Sequence, residues 1–293
     1  MSAWAVVGVP IDSIGRAGGT ELAPAALREA GLVERLGVAD RGDVDVRIRD
    51  EARDPETGIV GSGDVLAMTV AVRSAVRSLV AAGERPLVLG GCCALVPGAL
   101  AGVRDAAGAV GIVNVDGHVD VYDGRTSPTG EGADMPLAVA FGFGPERWVQ
   151  AAGGPSAAPA AAVVLGARDP EEAVDVEALL EGDLADLLVL SPDDLRAQGL
   201  GEAGELAAAR LAVDPGRFWI HLDVDVLDER AMPATDYLMP GGLEWEELAE
   251  LLPPLCASPA VAGLSVGCLN PEKDPGGGLT QRTRDLVVTA LAG

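Results

Sequence analysis

The sequence predicts an α/β protein whose mostly parallel sheet is flanked by helices. Three observations carry that expectation. Short apolar runs alternate with helix-like segments along the chain, the pattern that builds parallel sheets. Hydrophobic residues fill 48% of the 293 positions but aromatics only 3%, so a large core must be assembled mainly from Ala, Val and Leu. Two acidic clusters follow directly on buried-strand patterns, and the C-terminal ends of parallel strands are where such sheets place ligands.

Taken in order, Trp4 to Val9 reads as a strand and Pro24 to Leu36 as one amphipathic helix. Asp45 to Ile48 reads as a short strand, and Val65 to Ala82 as a long helix. Pro86 to Leu89 is a strand closed by Gly90-Gly91. Further strands are expected at Val110 to Val115, Ala162 to Leu165, Leu187 to Leu190, Phe218 to Asp223 and Val261 to Val266. Helices are expected at Met135 to Phe141, Pro170 to Leu180, Glu202 to Ala212, Leu243 to Leu252 and Leu279 to Leu291. The Ala/Gly/Pro-rich stretch Ala151 to Ala161 is a surface loop on this reading, because the alternation resumes unchanged after it.

The charge narrows the function. With 21 basic against 45 acidic residues the net charge is −24, which argues against nucleic acid or an anionic membrane as partner. The apolar runs are short and interrupted, so no transmembrane helix is expected, and no start-proximal stretch resembles a secretory signal. Four cysteines (Cys92, Cys93, Cys256 and Cys268) show no disulfide spacing, which fits a reducing cytoplasm.

The chemistry lies in Asp116-Gly117-His118-Val119-Asp120 and in Asp223-Val224-Asp225, with Asp228 just beyond. Four carboxylates converging at strand ends repel one another unless a counter-charge is present. A pair of divalent cations supplies it, and oxygen-rich ligation with one or two nitrogens suits Mn²⁺. His118 is one of only two histidines in the chain, so its place inside the cluster carries weight.

These segments resemble those of the ureohydrolase superfamily of arginase, agmatinase and formimidoylglutamase. That family carries a Gly-Gly-Asp-His-Ser, an Asp-Ala-His-x-Asp and a Ser-x-Asp-x-Asp-x-x-Asp-Pro segment. This chain has Gly90-Gly91-Cys92-Cys93-Ala94, Asp116-Gly117-His118-Val119-Asp120 and His221-Leu222-Asp223-Val224-Asp225-Val226-Leu227-Asp228. Gly8-Val9-Pro10-Ile11-Asp12-Ser13, Met135-Pro136-Leu137-Ala138, Gly241-Gly242-Leu243 and Asn270-Pro271 match further landmarks in order. The resemblance implies one arginase-like domain over residues 1–293, three-layered α/β/α, with a parallel sheet of about eight strands.

It also implies two Mn²⁺ ions bridged by Asp116 and Asp223. His118 and Asp225 complete one shell, and Asp120 and Cys93 serve the other. Lewis-acid activation of water would then direct hydroxide at the central carbon of a guanidine or amidine, with Asp225 steering it. Relatives of this kind are commonly trimers or hexamers, so a homo-oligomer is compatible. His221 stands where the family segment has serine, and reads as buried structure or as a support behind the ligands.

Four departures from the family pattern matter. Cys93 occupies the position of a metal-binding histidine; a thiolate there favours Fe²⁺ or Zn²⁺ over Mn²⁺ at that position. Ala133 falls where the family has an acid/base histidine, leaving Asp134 or Glu131 as substitute acids. Cys268 replaces the carboxylate that grips a guanidinium. Asp236-Tyr237 replaces Gly-Thr, and Tyr237 can donate a hydrogen bond or act as acid. A cysteine ligand without the acid/base histidine resembles the branches that hydrolyse N-hydroxyarginine.

The expected function is therefore a binuclear metallohydrolase of a guanidino, amidino or hydroxyguanidino small molecule, distinct from arginase itself. The alternative is an arginase-fold pseudoenzyme acting by binding. A phosphatase-like centre is disfavoured, because no Lys/Arg cluster near the motifs offers a phosphate clamp. The loop Tyr122 to Thr129 should face the substrate's tail, where Arg125 is a candidate partner for a carboxylate and Glu131 for an amine; both also read as solvated charges.

Overall fold

The computed structural model describes residues 3–168, 182 and 184–292. Eight strands form one sheet: β1 (Trp4–Val9), β2 (Ala39–Asp43), β3 (Arg85–Gly90), β4 (Gly111–Val115), β5 (Ala162–Leu165), β6 (Leu188–Leu190), β7 (Phe218–Asp223) and β8 (Val261–Gly267). Their order is β2-β1-β3-β8-β7-β4-β5-β6. Every pairing is parallel.

The helices are α1 (Ala23–Glu29), α2 (Leu32–Leu36), α3 (Ser62–Ala81), α4 (Val96–Ala107), α5 (Pro136–Phe141), α6 (Glu146–Ala151), α7 (Pro192–Gln198), α8 (Leu200–Val213), α9 (Trp245–Ala257) and α10 (Gly278–Ala292). Strand alternation divides the core in two, because successive side chains point to opposite faces. Val6, Leu87, Leu89, Val113, Val115, Ile220 and Leu222 pack with the apolar sides of α1, α8, α9 and α10. Val7, Val9, Val88, Ile112, Val164 and Trp219 pack on the other face with those of α3, α4 and α5. The result is three layers, α/β/α.

The topology positions the site. β3 and β4 follow one another in sequence, yet β8 and β7 lie between them in the sheet. The chain leaves β7 towards β8 on one side and leaves its other neighbour, β4, towards β5 on the opposite side, so these loops part to open a crevice beyond the C-terminal strand ends. Cys93, Cys268, Asp223 and Asp116 sit at or just past the ends of β3, β8, β7 and β4.

Several expected elements need correction. The second strand is Ala39–Asp43, not Asp45 to Ile48. It is exposed along its length and so lacks the apolar signature of a strand. Arg28 pins it, holding both carboxylate oxygens of Asp40 at 2.8 and 3.0 Å and Asp43 at 2.6 Å. The apolar Val46 and Ile48 instead pack into the core from irregular backbone. The single helix expected from Pro24 to Leu36 is two, because Gly31 at φ 88° turns the chain between them.

Helix α4 is not among the elements expected from the sequence. Gly98 and Gly102 are where α3 approaches closest: a Cβ at either would stand 2.9 Å from Thr69 O or 2.8 Å from Arg73 O. Helices α6 and α7 were also missed. Helix α9 runs on through Pro253 and Pro254, because Leu255 and Cys256 beyond them are buried. The helix expected at Pro170 to Leu180 lies outside the described residues.

Candidate metal centre

At the end of β4, Asp116 is fully buried and held from two sides. Asn114 Nδ2 donates to its Oδ2 at 3.1 Å, and the His118 amide donates to Oδ1 at 2.7 Å. The chain then bends, with Asp120 at φ 58°, and the amides of Leu137 and Ala138 donate to the Asp120 carbonyl. Asp223 closes β7, and the Asp225 amide donates to its Oδ1 at 2.8 Å, a tight turn that returns both carboxylates to one place. Gly117 N ties the two clusters together, donating to Asp225 Oδ1 at 3.0 Å. His118 Nδ1 lies 3.1 Å from Asp225 Oδ2 and 3.5 Å from Asp116 Oδ1.

The other two strands bring thiols. Cys93 opens a 3-10 turn after β3, and its Sγ donates to Asp223 Oδ2 at 2.6 Å. Cys268 follows β8 at φ 63°, its amide donating to Gly91 O at 2.6 Å. The two sulfurs lie 3.4 Å apart, and neither cysteine is in a disulfide.

Donor atoms of Cys93, Asp116, His221 and Asp223 lie within 4.8 Å of one another, as do those of Asp116, His118 and Asp120. Above them opens a cavity of about 560 Å³, with Cys93, His118, Asp120, Asp223, Asp225 and Cys268 on its lining. Tyr122, Thr129, Asp134, Asp236 and Tyr237 complete its walls.

Burial sets the electrostatics. It pushes the Asp116 carboxyl up to about 6, aided by the nearby charge of Asp225. Asp223 is driven well above the carboxylate range by burial and by Asp225 and Asp116. Burial also acts to raise Asp225, but the imidazolium of His118 and the Gly117 amide hold it below its usual value. Desolvation opposes charge on His118, yet Asp225 and Asp116 raise it far above the ordinary imidazole range. Cys93 is pushed well up by its contact with Cys268, by burial and by Asp223. Burial lowers His221 to about 4, so its ring is neutral.

The remaining residues singled out in the sequence fall at different distances from this floor. Tyr237 lines the cavity, its ring edge-on to His118 with centroids 6.0 Å apart. Its hydroxyl bonds the Glu131 carboxylate, which also accepts from Ser13 Oγ at 3.3 Å and is raised by burial. Asp134 accepts from Ser127 and Thr129 hydroxyls at 2.5 and 2.6 Å, which fastens the loop. Asp228 caps a turn, accepting from the Arg230 and Gly241 amides. Arg125 lines a separate groove with Glu56 and Arg147, not the cavity above the carboxylates.

Two residues had not been given their due. Arg168 donates to the carbonyls of Asp225 at 2.7 Å and Leu227 at 3.0 Å, holding the turn after β7. His221 comes within reach of the cysteine-side donors; its spacing of two from Asp223 on one strand was the available signal.

The chain matches the model of the arginase family over residues 2–292 and belongs to that family. It is 30% identical to the arginase of Bacillus subtilis over 248 residues, which is 83% of this chain and 81% of that enzyme. It is 29% identical to the arginase of Brevibacillus brevis over 251 residues, covering 83% and 82% of the two chains. The structure of Bacillus caldovelox arginase superimposes with a TM-score of 0.91 at 25% identity, covering 100% of this chain and 99% of that one. The family consists of hydrolases that act on C–N bonds of guanidines and amidines and depend on a binuclear metal centre.

The residues present fit such a centre. Buried carboxylates that raise one another's pKa need positive charge. The clustered donors offer carboxylate oxygens, imidazoles and a thiol, and among the described residues His221 Nε2 has no hydrogen-bond partner.

Proposed function

We propose that this chain is a binuclear metal-dependent hydrolase that cleaves a C–N bond of a guanidino, amidino or hydroxyguanidino compound, and that it prefers a weakly basic N-hydroxyguanidine to arginine. The observation that carries the preference is the thiol pair. Cys268 Sγ stands on the cavity lining 3.4 Å from Cys93 Sγ, where the family resemblance puts a carboxylate that grips the guanidinium. A neutral thiol cannot pair with a permanent cation. An N-hydroxyguanidine, far less basic, binds neutral and loses less.

Asp116 and Asp223 would help hold two cations, with His118 and Asp225 serving one position and Cys93 and Asp120 the other. Mn²⁺ suits the oxygen-rich half, whereas the thiol tilts the other position towards Fe²⁺ or Zn²⁺. When bound, the ions supply Lewis acidity and a hydroxide at neutral pH. The protein does the rest. Asp225, kept ionised beside His118, orients the attacking oxygen and accepts its proton. In the proton exchange with the departing nitrogen, Glu131, its carboxyl raised by burial, is the acid, and Tyr237, whose hydroxyl bonds it, lines the cavity. Asp134 serves this exchange by holding the loop that carries Glu131.

The small-molecule substrate occupies the cavity. No helix among the described residues is long and apolar enough to cross a membrane, and a reducing cytoplasm would keep the adjacent thiols from oxidising.

The test is a substrate panel on metal-loaded protein, with urea and hydroxyurea assayed after arginine, agmatine, N-hydroxyarginine and simple amidines. Turnover of the N-hydroxyguanidine above arginine is expected. Robust arginine hydrolysis would overturn the preference. Silence on the whole panel from protein holding two metals would favour the pseudoenzyme, the reading that Ala133 in place of an acid/base histidine supports.

A further inference from the structure

We infer that His221 is itself a metal ligand, supplying through Nε2 the imidazole donor of the cysteine-side position. This rests on the metal-centre reading and adds a residue to it. His221 is fully buried on β7, two positions before Asp223 and on the same strand face. One of its ring nitrogens lies within 4.8 Å of the donor atoms of Cys93, Asp116 and Asp223.

Nδ1 is held. Nδ1 lies 2.7 Å from Ser265 Oγ on β8, and Trp219 Nε1 donates to the same hydroxyl at 2.9 Å. A second partner fixing one ring nitrogen, with the other directed at a donor cluster, is how ligating histidines are oriented. With the proton on Nδ1 donated to Ser265, the Nε2 lone pair is left for a cation. Among the described residues Nε2 has no hydrogen-bond partner, an expensive state for a buried polar atom that packing alone does not account for.

Gly267 keeps the ring's flank clear, since a Cβ there would lie 3.2 Å from His221 Cε1. With Asp116, Asp120 and Asp223, the donor set is then one thiolate, one imidazole and three carboxylates. That mixture suits Zn²⁺ or Fe²⁺ better than an all-oxygen shell does.

The chain has only two histidines, which makes the test direct. Protein labelled with ¹⁵N-histidine is titrated with Zn²⁺ and followed by NMR of the ring nitrogens, with metal content counted in parallel. Metal-induced shifts of both imidazoles, His221 responding at Nε2, are expected. Two bound metals with a shift only at His118 would overturn the inference while leaving the metal centre standing. No metal uptake would overturn both.

Variants separate ligation from packing. His221→Ser should weaken one of the two sites by more than the roughly 10–100-fold that supporting partners cost. The double variant Cys93→His/His221→Ser moves the imidazole back across the site and should recover two metals per chain. Failure of that double variant to bind a second metal while folded, or full binding by His221→Ser alone, would overturn the inference.

Discussion

Removing the charge of Asp116 should stabilise the metal-free protein at neutral pH and do so much less in acid. Asp116 is fully buried, and its carboxyl is pushed up from 3.8 to about 6 by burial and by Asp225. Between those values the folded chain holds a proton that the unfolded chain has released. Stability contributed by that proton is complete below the unfolded value and is lost as pH rises towards the folded one. From pH ~4.5 to ~7 the carboxyl loses about 1.5 units of that window, or about 2 kcal/mol.

Asp116→Asn cannot titrate, so the difference in unfolding free energy between variant and parent should grow by about 2 kcal/mol over the same interval. Taking the difference cancels the many surface acids that titrate alike in both proteins. Urea unfolding of chelator-treated protein at the two pH values measures it. Saturating Mn²⁺ should invert the order at neutral pH, since only the parent retains the carboxylate proposed to hold the ions and ligand binding stabilises the folded state. A variant-minus-parent difference that stays flat with pH, or one that Mn²⁺ leaves unchanged, would refute the claim that these carboxylates are poised for a cation.

Other outcomes follow from the same geometry. Cys93→Ala should empty one of two metal positions while Cys93→His keeps Mn²⁺ in both, as elemental analysis would show. Cys268→Glu restores a carboxylate on the cavity lining and should raise kcat/KM for arginine by about tenfold or more, the worth of a charged hydrogen bond. With Glu131 as the proposed acid, activity should fall as pH rises through its raised pKa. Glu131→Gln should erase that alkaline limb and cost roughly 10²–10⁴ in kcat, with KM little changed. Arg28→Ala should release β2, costing about 1 kcal/mol of stability and speeding amide exchange at residues 39–43 before any other strand.

The parts of the fold that burial dictates were legible. β1, β5 and β7 have the limits their apolar runs imply, because buried parallel strands write continuous Val/Ile/Leu/Ala stretches. β2 was not legible, since an exposed edge strand held by Arg28 and two aspartates carries no such run. Helix α4 was hidden for a related reason. Its glycines serve contact with α3, and that contact does not exist until α3 is in place. At the site, the residue types and their order pointed to the cluster. What they could not give was direction: that Arg125 opens on another groove, that Asp134 is spent on Ser127 and Thr129, and that Tyr237 reaches Glu131.

Three of the departures from the family pattern fall together. Cys93, Cys268 and His221 stand together where β3, β8 and β7 end, while His118, Asp120 and Asp225 keep the family's residues. A chain losing its metal centre would have no reason to keep Asp116 and Asp223 buried beside Asp225, where their charges are costly without a cation. Nor does loss explain a new imidazole gained within reach of the position where one was given up. The exchange also moves charge. The family arrangement has a neutral histidine at position 93 and a carboxylate at position 268; here a thiolate at Cys93 and a neutral thiol at Cys268 would carry the same total. The negative charge passes from the substrate's side to the metal's. A cation on the substrate loses its partner, and the metal loses Lewis acidity. On the proposed reading, both changes would favour a substrate that arrives uncharged and needs less activation, as an N-hydroxyguanidine does and arginine does not.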